Sequence, residues 1–209
     1  MILRIKPIIH LLTKRIHDMD NLIFRKCALE KFDFLISQYG FKCKQVDLYY
    51  LRFESNTVFA EVHYDSQRSF EIDFSIGLLG DLYDGKERPF YLNELVKFAD
   101  PKNKEDYKLI QANTPEEIIR LVPKIANLVE KYAKDFLSGN KSRFKTLSDF
   151  RENECNKYAL EIELKGIREA AQRAWEQKDY ACIVKLYEPV KDRITQSEYK
   201  KLEYSRKHL

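Results

Sequence analysis

Apolar residues recur at helical spacing near both ends of the chain and at every second position in between. The first helical stripe is Leu22, Ile23, Cys27, Phe34 and Leu35, flanked by Phe24, Ala28 and Ile36. Asp20 or Asn21 is placed to cap this helix, which is expected to run to about Tyr39 and to stop at Gly40. Residues 43–79 then change period. Val58, Ala60, Val62 and Tyr64 alternate with Phe59, Glu61 and His63, and Phe70, Ile72, Phe74 and Ile76 alternate with Ser69, Glu71, Asp73 and Ser75. Such alternation marks half-buried antiparallel strands. Residues 54–57 and 65–68 are turn-rich connectors. A four-residue first turn pairs Phe53 with Val58, Leu51 with Ala60 and Tyr49 with Val62, giving a three-stranded meander.

The stretch from Gly77 to Pro89 reads as an acidic loop, and Tyr91–Ala99 as a short helix. Thr114-Pro115-Glu116-Glu117 is the clearest helix start, with a capping Thr, Pro at the first helical position and Glu at the third. Apolar positions follow from Ile118 to Phe136, past an internal Pro123 that should bend the helix. From Ser148 onward the pattern is helical: a long helix to Gln177, a second from Asp179 to Tyr187, and a third capped by Thr195 and Glu198. The expected fold is therefore α+β: an N-terminal helix, a three-stranded antiparallel meander, helices packed on one face, and a helical C-terminal block. The boundaries that follow are an N-terminal arm over 1–18, with Met19 a sufficient start, an α+β domain over 19–147, and the helical block over 148–209.

Composition narrows the class. Thirteen Tyr and thirteen Phe supply a real core, and no apolar run approaches the ~18 residues of a membrane-spanning helix. Cys27, Cys43, Cys155 and Cys182 form no CxxC pair, so free thiols in a reducing, cytoplasmic setting are expected. The formal charge of +4 is unevenly spread: residues 41–100 hold seven Lys/Arg against eleven Asp/Glu, and the flanking regions are basic. An acidic sheet region argues against RNA reading, which wants aromatics amid basic residues. Nucleic acid is not an expected partner, and no cofactor or metal motif is present.

The chemistry-bearing residues gather on the polar side of the meander. One register sets His63 opposite Glu71 and Glu61 opposite Asp73; the other sets Glu61 opposite Glu71. Either way three carboxylates and an imidazole share a patch, which could be a solvated face, a protein-binding surface, or a metal or acid–base site. With Asp81, Asp84 and Glu87 of the following loop, these residues form the candidate partner-binding surface. No GxSxG elbow, Walker lysine or GxGxxG spacing occurs.

Two local patterns resemble known families. Ala171, Ala174, Trp175 and the run Asp179-Tyr180-Ala-Cys-Ile183-Val184-Lys-Leu186-Tyr187 resemble the middle of a tetratricopeptide-type helix pair, although Lys178 stands where that family favours Gly and no second copy follows. The layout of residues 20–150, ending in Lys131-Tyr132-Ala-Lys-Asp-Phe136-Leu137-Ser-Gly139, resembles small bacterial proteins of immunity type. This likeness carries over no functional residues. It implies a non-enzymatic protein-binding module whose acidic face meets a basic partner such as a toxin or nuclease, since an acidic surface mimics nucleic-acid phosphate. The alternatives are a helical adaptor acting through the C-terminal hairpin, and a hydrolase built on Glu61, His63, Glu71 and Asp73.

Overall fold

The structure, a computed structural model, describes residues 22–103 and 108–209. The expected arm over 1–18, the start at Met19 and the cap at Asp20 or Asn21 lie outside the described residues. The chain divides into two compact units, with the division between Asp149 and Phe150.

The first unit is α+β. Residues 22–31 are helical (α1), the chain turns at Phe32, and α2 (Asp33–Ser37) follows. The turn redirects the apolar stripe. Phe24, Ala28, Phe32, Phe34 and Leu35 are buried, whereas Leu22 and Ile36, expected in the stripe, are exposed. Gly40 ends the segment at φ +68°, and the Phe41 amide reaches back to the Leu35 carbonyl at 3.0 Å, the bond that closes a glycine-capped helix end.

The strands β1 (Lys42–Val46), β2 (Tyr50–Glu54), β3 (Val58–Tyr64), β4 (Ile72–Leu78), β5 (Leu82–Tyr83), β6 (Lys86–Glu87) and β7 (Phe90–Tyr91) follow. The expected meander is the centre of a five-stranded antiparallel sheet in the order β1-β2-β3-β4-β7, and β5 and β6 form a separate hairpin. Three sequence expectations need correction. First, β2 and β3 pair Phe53 with Ala60 and Leu51 with Val62. The pairing slides by two residues, which keeps every side chain on its face. Ser55 explains the slide: its amide donates to the Val58 carbonyl and its Oγ accepts from the Val58 amide, leaving Asn56-Thr57 as a two-residue turn. Second, Phe70 is no strand residue. It adopts φ +55°, a costly conformation for a bulky side chain, and the strand begins two residues later. Third, the chain after Gly77 is no irregular loop. β4 continues to Leu78, and Asp84 and Gly85, at φ +52° and +73°, form the tight turn of the β5–β6 hairpin.

One face of the sheet is the core. Leu51, Phe53, Val58, Ala60, Val62, Tyr64, Ile72, Phe74, Ile76 and Phe90 are buried there. Helices α3 (Leu92–Ala99) and α4 (Pro115–Tyr132) pack against β4, and the short α5 (Lys134–Leu137) packs against α4. Phe32 stacks on Phe74 at 6.0 Å, and Phe136 meets Phe144 edge-on at 5.2 Å. Thr114 caps α4 as expected by accepting from the Glu117 amide, while the Glu117 carboxylate takes the Asn113 amide at 2.7 Å. Pro123 lies inside α4 without ending it.

Helix α6 (Lys141–Glu176) runs across the division into the second unit, which also holds α7 (Tyr180–Tyr187), a 3₁₀ turn (Glu188–Val190) and α8 (Gln196–Arg206). The small core of this unit is Leu164, Ala171, Ala174, Ile183, Tyr187, Val190 and Leu202, with Trp175 and Tyr180 packed on it. Lys178 takes φ +57° between α6 and α7, a backbone conformation that glycine adopts at less cost. Thr195 caps α8 with the expected reciprocal box: its Oγ1 accepts the Glu198 amide, and its own amide donates to Glu198 at 2.7 Å.

Candidate functional site

Strand register sorts the outer face of the sheet into rows. The first row is Tyr50, His63 and Asp73; the second is Arg52, Glu61, Ser75 and Tyr91; the third is Glu54, Phe59 and Gly77. Both registers expected for the β3–β4 hairpin are therefore wrong. Glu61 stands opposite Ser75, and His63 opposite Asp73. The reason is the turn: it extends through residues 65–70 and consumes the residues that would have placed Glu71 beside the imidazole.

Arg52 of the second row is the centre of an ion-pair network that reaches beyond that row. Arg52 Nε donates to Glu54 at 2.8 Å, Nη1 to Glu61 at 2.6 Å, and Nη1 and Nη2 to the two oxygens of Glu87, each at 2.8 Å. Glu61 also accepts from the Tyr50 hydroxyl at 2.5 Å and from Ser75 Oγ at 3.1 Å. The guanidinium lies 4.3 Å above the Phe59 ring, and Phe59, nominally on the polar side, is buried. Gly77 makes room for that ring: a Cβ there would sit 2.6 Å from Phe59 Cζ. Burial and the Glu61 carboxylate push the Tyr50 phenol up to about 12. Three carboxylates of the acidic region are thus bonded to one arginine, so part of the charge counted from the sequence is built into the fold.

The remaining expected residues separate. Asp73 is shielded from water, which raises its carboxyl above the ordinary range; its own Phe74 amide and His63 oppose that shift, and Glu71 and Glu94 reinforce it. Glu71 and Asp73 line a water-sized cavity of about 30 Å³ with Asn93 and Lys108. Asp81 and Asp84 are exposed beside the β5–β6 hairpin, whose Leu82 and Tyr83 are also exposed, with Arg88 5.0 Å over the Tyr83 ring. The structure brings Glu61 and Glu87 together through Arg52, and His63 beside Asp73. It does not gather the seven expected residues into one patch. Among the described residues, no group of three His, Cys, Asp or Glu side chains could hold a metal ion.

A second feature, missed by sequence reasoning, lies at the first-row end of the sheet. Gln45, Asp47, Tyr49, Tyr50, His63, Tyr64, Asp65, Ser66 and Gln67 line an open depression of about 660 Å³. Asp47 shapes one wall: its amide donates to the Tyr50 carbonyl and its Oδ2 accepts from Gln45 Nε2 at 2.7 Å. Asp65 shapes the other, its two oxygens taking the Gln67, Arg68 and Ser69 amides and Ser69 Oγ. Those bonds, the Gln67 amide foremost, hold its carboxyl below the usual range. Among the described residues, no Lys or Arg lines the depression. Two tyrosines flanked by aspartates in the 47–50 stretch and the 65–67 turn were the available signal, but it becomes visible only once β2 and β3 are paired.

No family model, curated relative or solved structure matches this chain. No helix among the described residues is long and apolar enough to cross a membrane.

Proposed function

We propose that this protein is a non-enzymatic protein-binding module that presents the acidic part of its first unit to a basic protein surface, in the manner of immunity or inhibitor proteins. One observation carries the reading. On the outer face one arginine binds Glu54, Glu61 and Glu87 into a network, while the depression at one end is lined by Asp47 and Asp65 and, among the described residues, by no Lys or Arg. The Asp81 and Asp84 carboxylates beside the exposed hairpin add to that field. Unpaired surface carboxylates steer a basic partner and speed its encounter. A hydrolase on Glu61 gains no support, because its carboxylate already takes three donors and is not free to accept a proton from substrate.

The test uses charge reversal away from the structural network. Glu61 and Asp73 are built into the fold, so the informative variant is Asp47→Lys/Asp81→Lys/Asp84→Lys. In pull-downs from the native organism, a basic protein held by wild type and released by this variant supports the reading. Its association rate should fall with salt in wild type and much less in the variant. A partner retained equally by both would move the interface elsewhere, the C-terminal helices being the next surface to examine.

A further inference from the structure

We propose that the depression bounded by Tyr49, Tyr50, His63, Asp47 and Asp65 receives an arginine side chain of the partner. This inference rests on the protein-binding reading and names its anchor. The chemistry of the lining favours a planar cation. Tyr49 is 54% exposed at the rim and offers a ring face. Tyr50 cannot swing away, because its hydroxyl is bonded to Glu61 at 2.5 Å. Tyrosine faces attract guanidinium within about 6 Å of the ring centroid.

The hydrogen-bond ledger of the lining selects the acceptor. Both oxygens of Asp65 are engaged by the 67–69 turn, so it contributes charge but little bonding capacity. Asp47 accepts one bond, from Gln45 to Oδ2, and keeps Oδ1 for an incoming donor. Among the described residues the His63 side chain has no hydrogen-bond partner, which leaves its ring nitrogens for a ligand in the depression it lines. Arginine fits this set better than lysine: its fork can bond a carboxylate while its plane lies on an aromatic ring, and it sheds water more readily.

The chain supplies its own precedent one row away. Arg52 lies 4.3 Å over Phe59 while its nitrogens bond Glu54, Glu61 and Glu87. A partner arginine over Tyr49 or Tyr50 and against Asp47 would repeat that arrangement in a depression that no arginine lines among the described residues.

The experiment is an amide and histidine-ring NMR titration of the full chain at low salt. The probe is acetylated, amidated penta-arginine, with penta-lysine and penta-glutamate in parallel. Saturable shifts at Tyr49, Tyr50 and His63, tighter for the arginine peptide, are expected. Tyr49→Ala and Asp47→Asn should each weaken binding about three- to tenfold. Both positions are exposed, and an unchanged amide spectrum away from the depression verifies that each variant is folded. Equal binding of the lysine and arginine peptides with no effect of Tyr49→Ala overturns the arginine anchor. Shifts confined to residues 81–84 also overturn it, while leaving the basic-partner reading standing. Saturation at neither place, or equal binding of the glutamate peptide, sinks both.

Discussion

At the Arg52 end of the outer sheet face, carboxylates are bonded to an arginine of the chain; at the Tyr49 end, they border an open depression. Four of the five guanidinium N–H groups of Arg52 are committed to Glu54, Glu61 and Glu87, and the same group covers Phe59. At the other end, Asp47 and Asp65 border an open depression with Tyr49, Tyr50 and His63. Both ends look alike in composition, being rich in carboxylates and aromatics. The difference lies in a single cation reached from three directions. A local charge count therefore says little about what a partner meets, because a half-buried network contributes to the fold and only the unpaired remainder to recognition.

The largest test of that contrast is Arg52→Ala. It leaves three carboxylates facing one another in a partly shielded setting and uncovers Phe59. The expected cost is about 2–4 kcal/mol by urea denaturation. Pairing the deletion with Glu61→Gln and Glu87→Gln should recover much of it, because the loss comes mainly from stranded charge. A cost under about 0.5 kcal/mol, the range of ordinary surface substitutions, would mean that this end is merely solvated surface too.

Gly77→Ala probes the same end through packing. The new methyl would stand 2.6 and 2.7 Å from Phe59 Cζ and Cε1, so the ring must shift under Arg52. We expect a loss of about 1–3 kcal/mol in thermal melting. Adding Phe59→Leu should relieve part of that loss, since the overlap is with the ring.

Tyr50→Phe addresses the hinge between the two ends, because Tyr50 both lines the depression and bonds Glu61. Glu61 keeps Arg52 and Ser75 as donors, so no group is orphaned and the cost should be about 1 kcal/mol. The phenol gives a pH signature. Its folded pKa of about 12 lies above the ordinary tyrosine value, so the folded state holds the proton more tightly. The stability linked to it is intact below about pH 10 and is lost as pH rises toward about 12. Wild type should show this alkaline decline more steeply than Tyr50→Phe. Parallel profiles would mean that the Tyr50–Glu61 bond is not held in solution.

The closed and open ends were unequally legible in the sequence. Inward positions such as Val58, Ala60, Val62, Phe74 and Ile76 follow from period two alone, because burial fixes the face. Register does not follow, because a slide of two residues preserves every face; the two-residue turn set by Ser55 decides it. Strand β1 escaped notice because Lys42-Cys43-Lys44-Gln45-Val46 is an edge strand with no fully buried position. The β5–β6 hairpin did carry a readable signal, since Asp84-Gly85 is a strong two-residue turn, but the surrounding acidic residues read as loop. The Arg52 network joins residues 35 positions apart, and no local pattern announces it. The helix caps at Thr114 and Thr195 were fully readable because each is set by four consecutive residues.

The smallest expected effect is the most discriminating. Tyr49→Ala removes a large ring that is 54% exposed and has no hydrogen-bonding or ring partner among the described residues. If the Tyr49 end is free for recognition, the substitution should change stability by no more than about 0.5 kcal/mol, in contrast to the several-fold larger cost at Arg52. The chain still uses the backbone there: the Tyr49 carbonyl accepts from the Tyr64 amide at 2.9 Å, and alanine preserves that bond. Urea denaturation of Tyr49→Ala beside Arg52→Ala measures the two ends on one scale. A loss above about 1.5 kcal/mol at Tyr49 would show that its ring stabilises the sheet as Arg52 does, and the distinction between a structural end and a recognition end would fall.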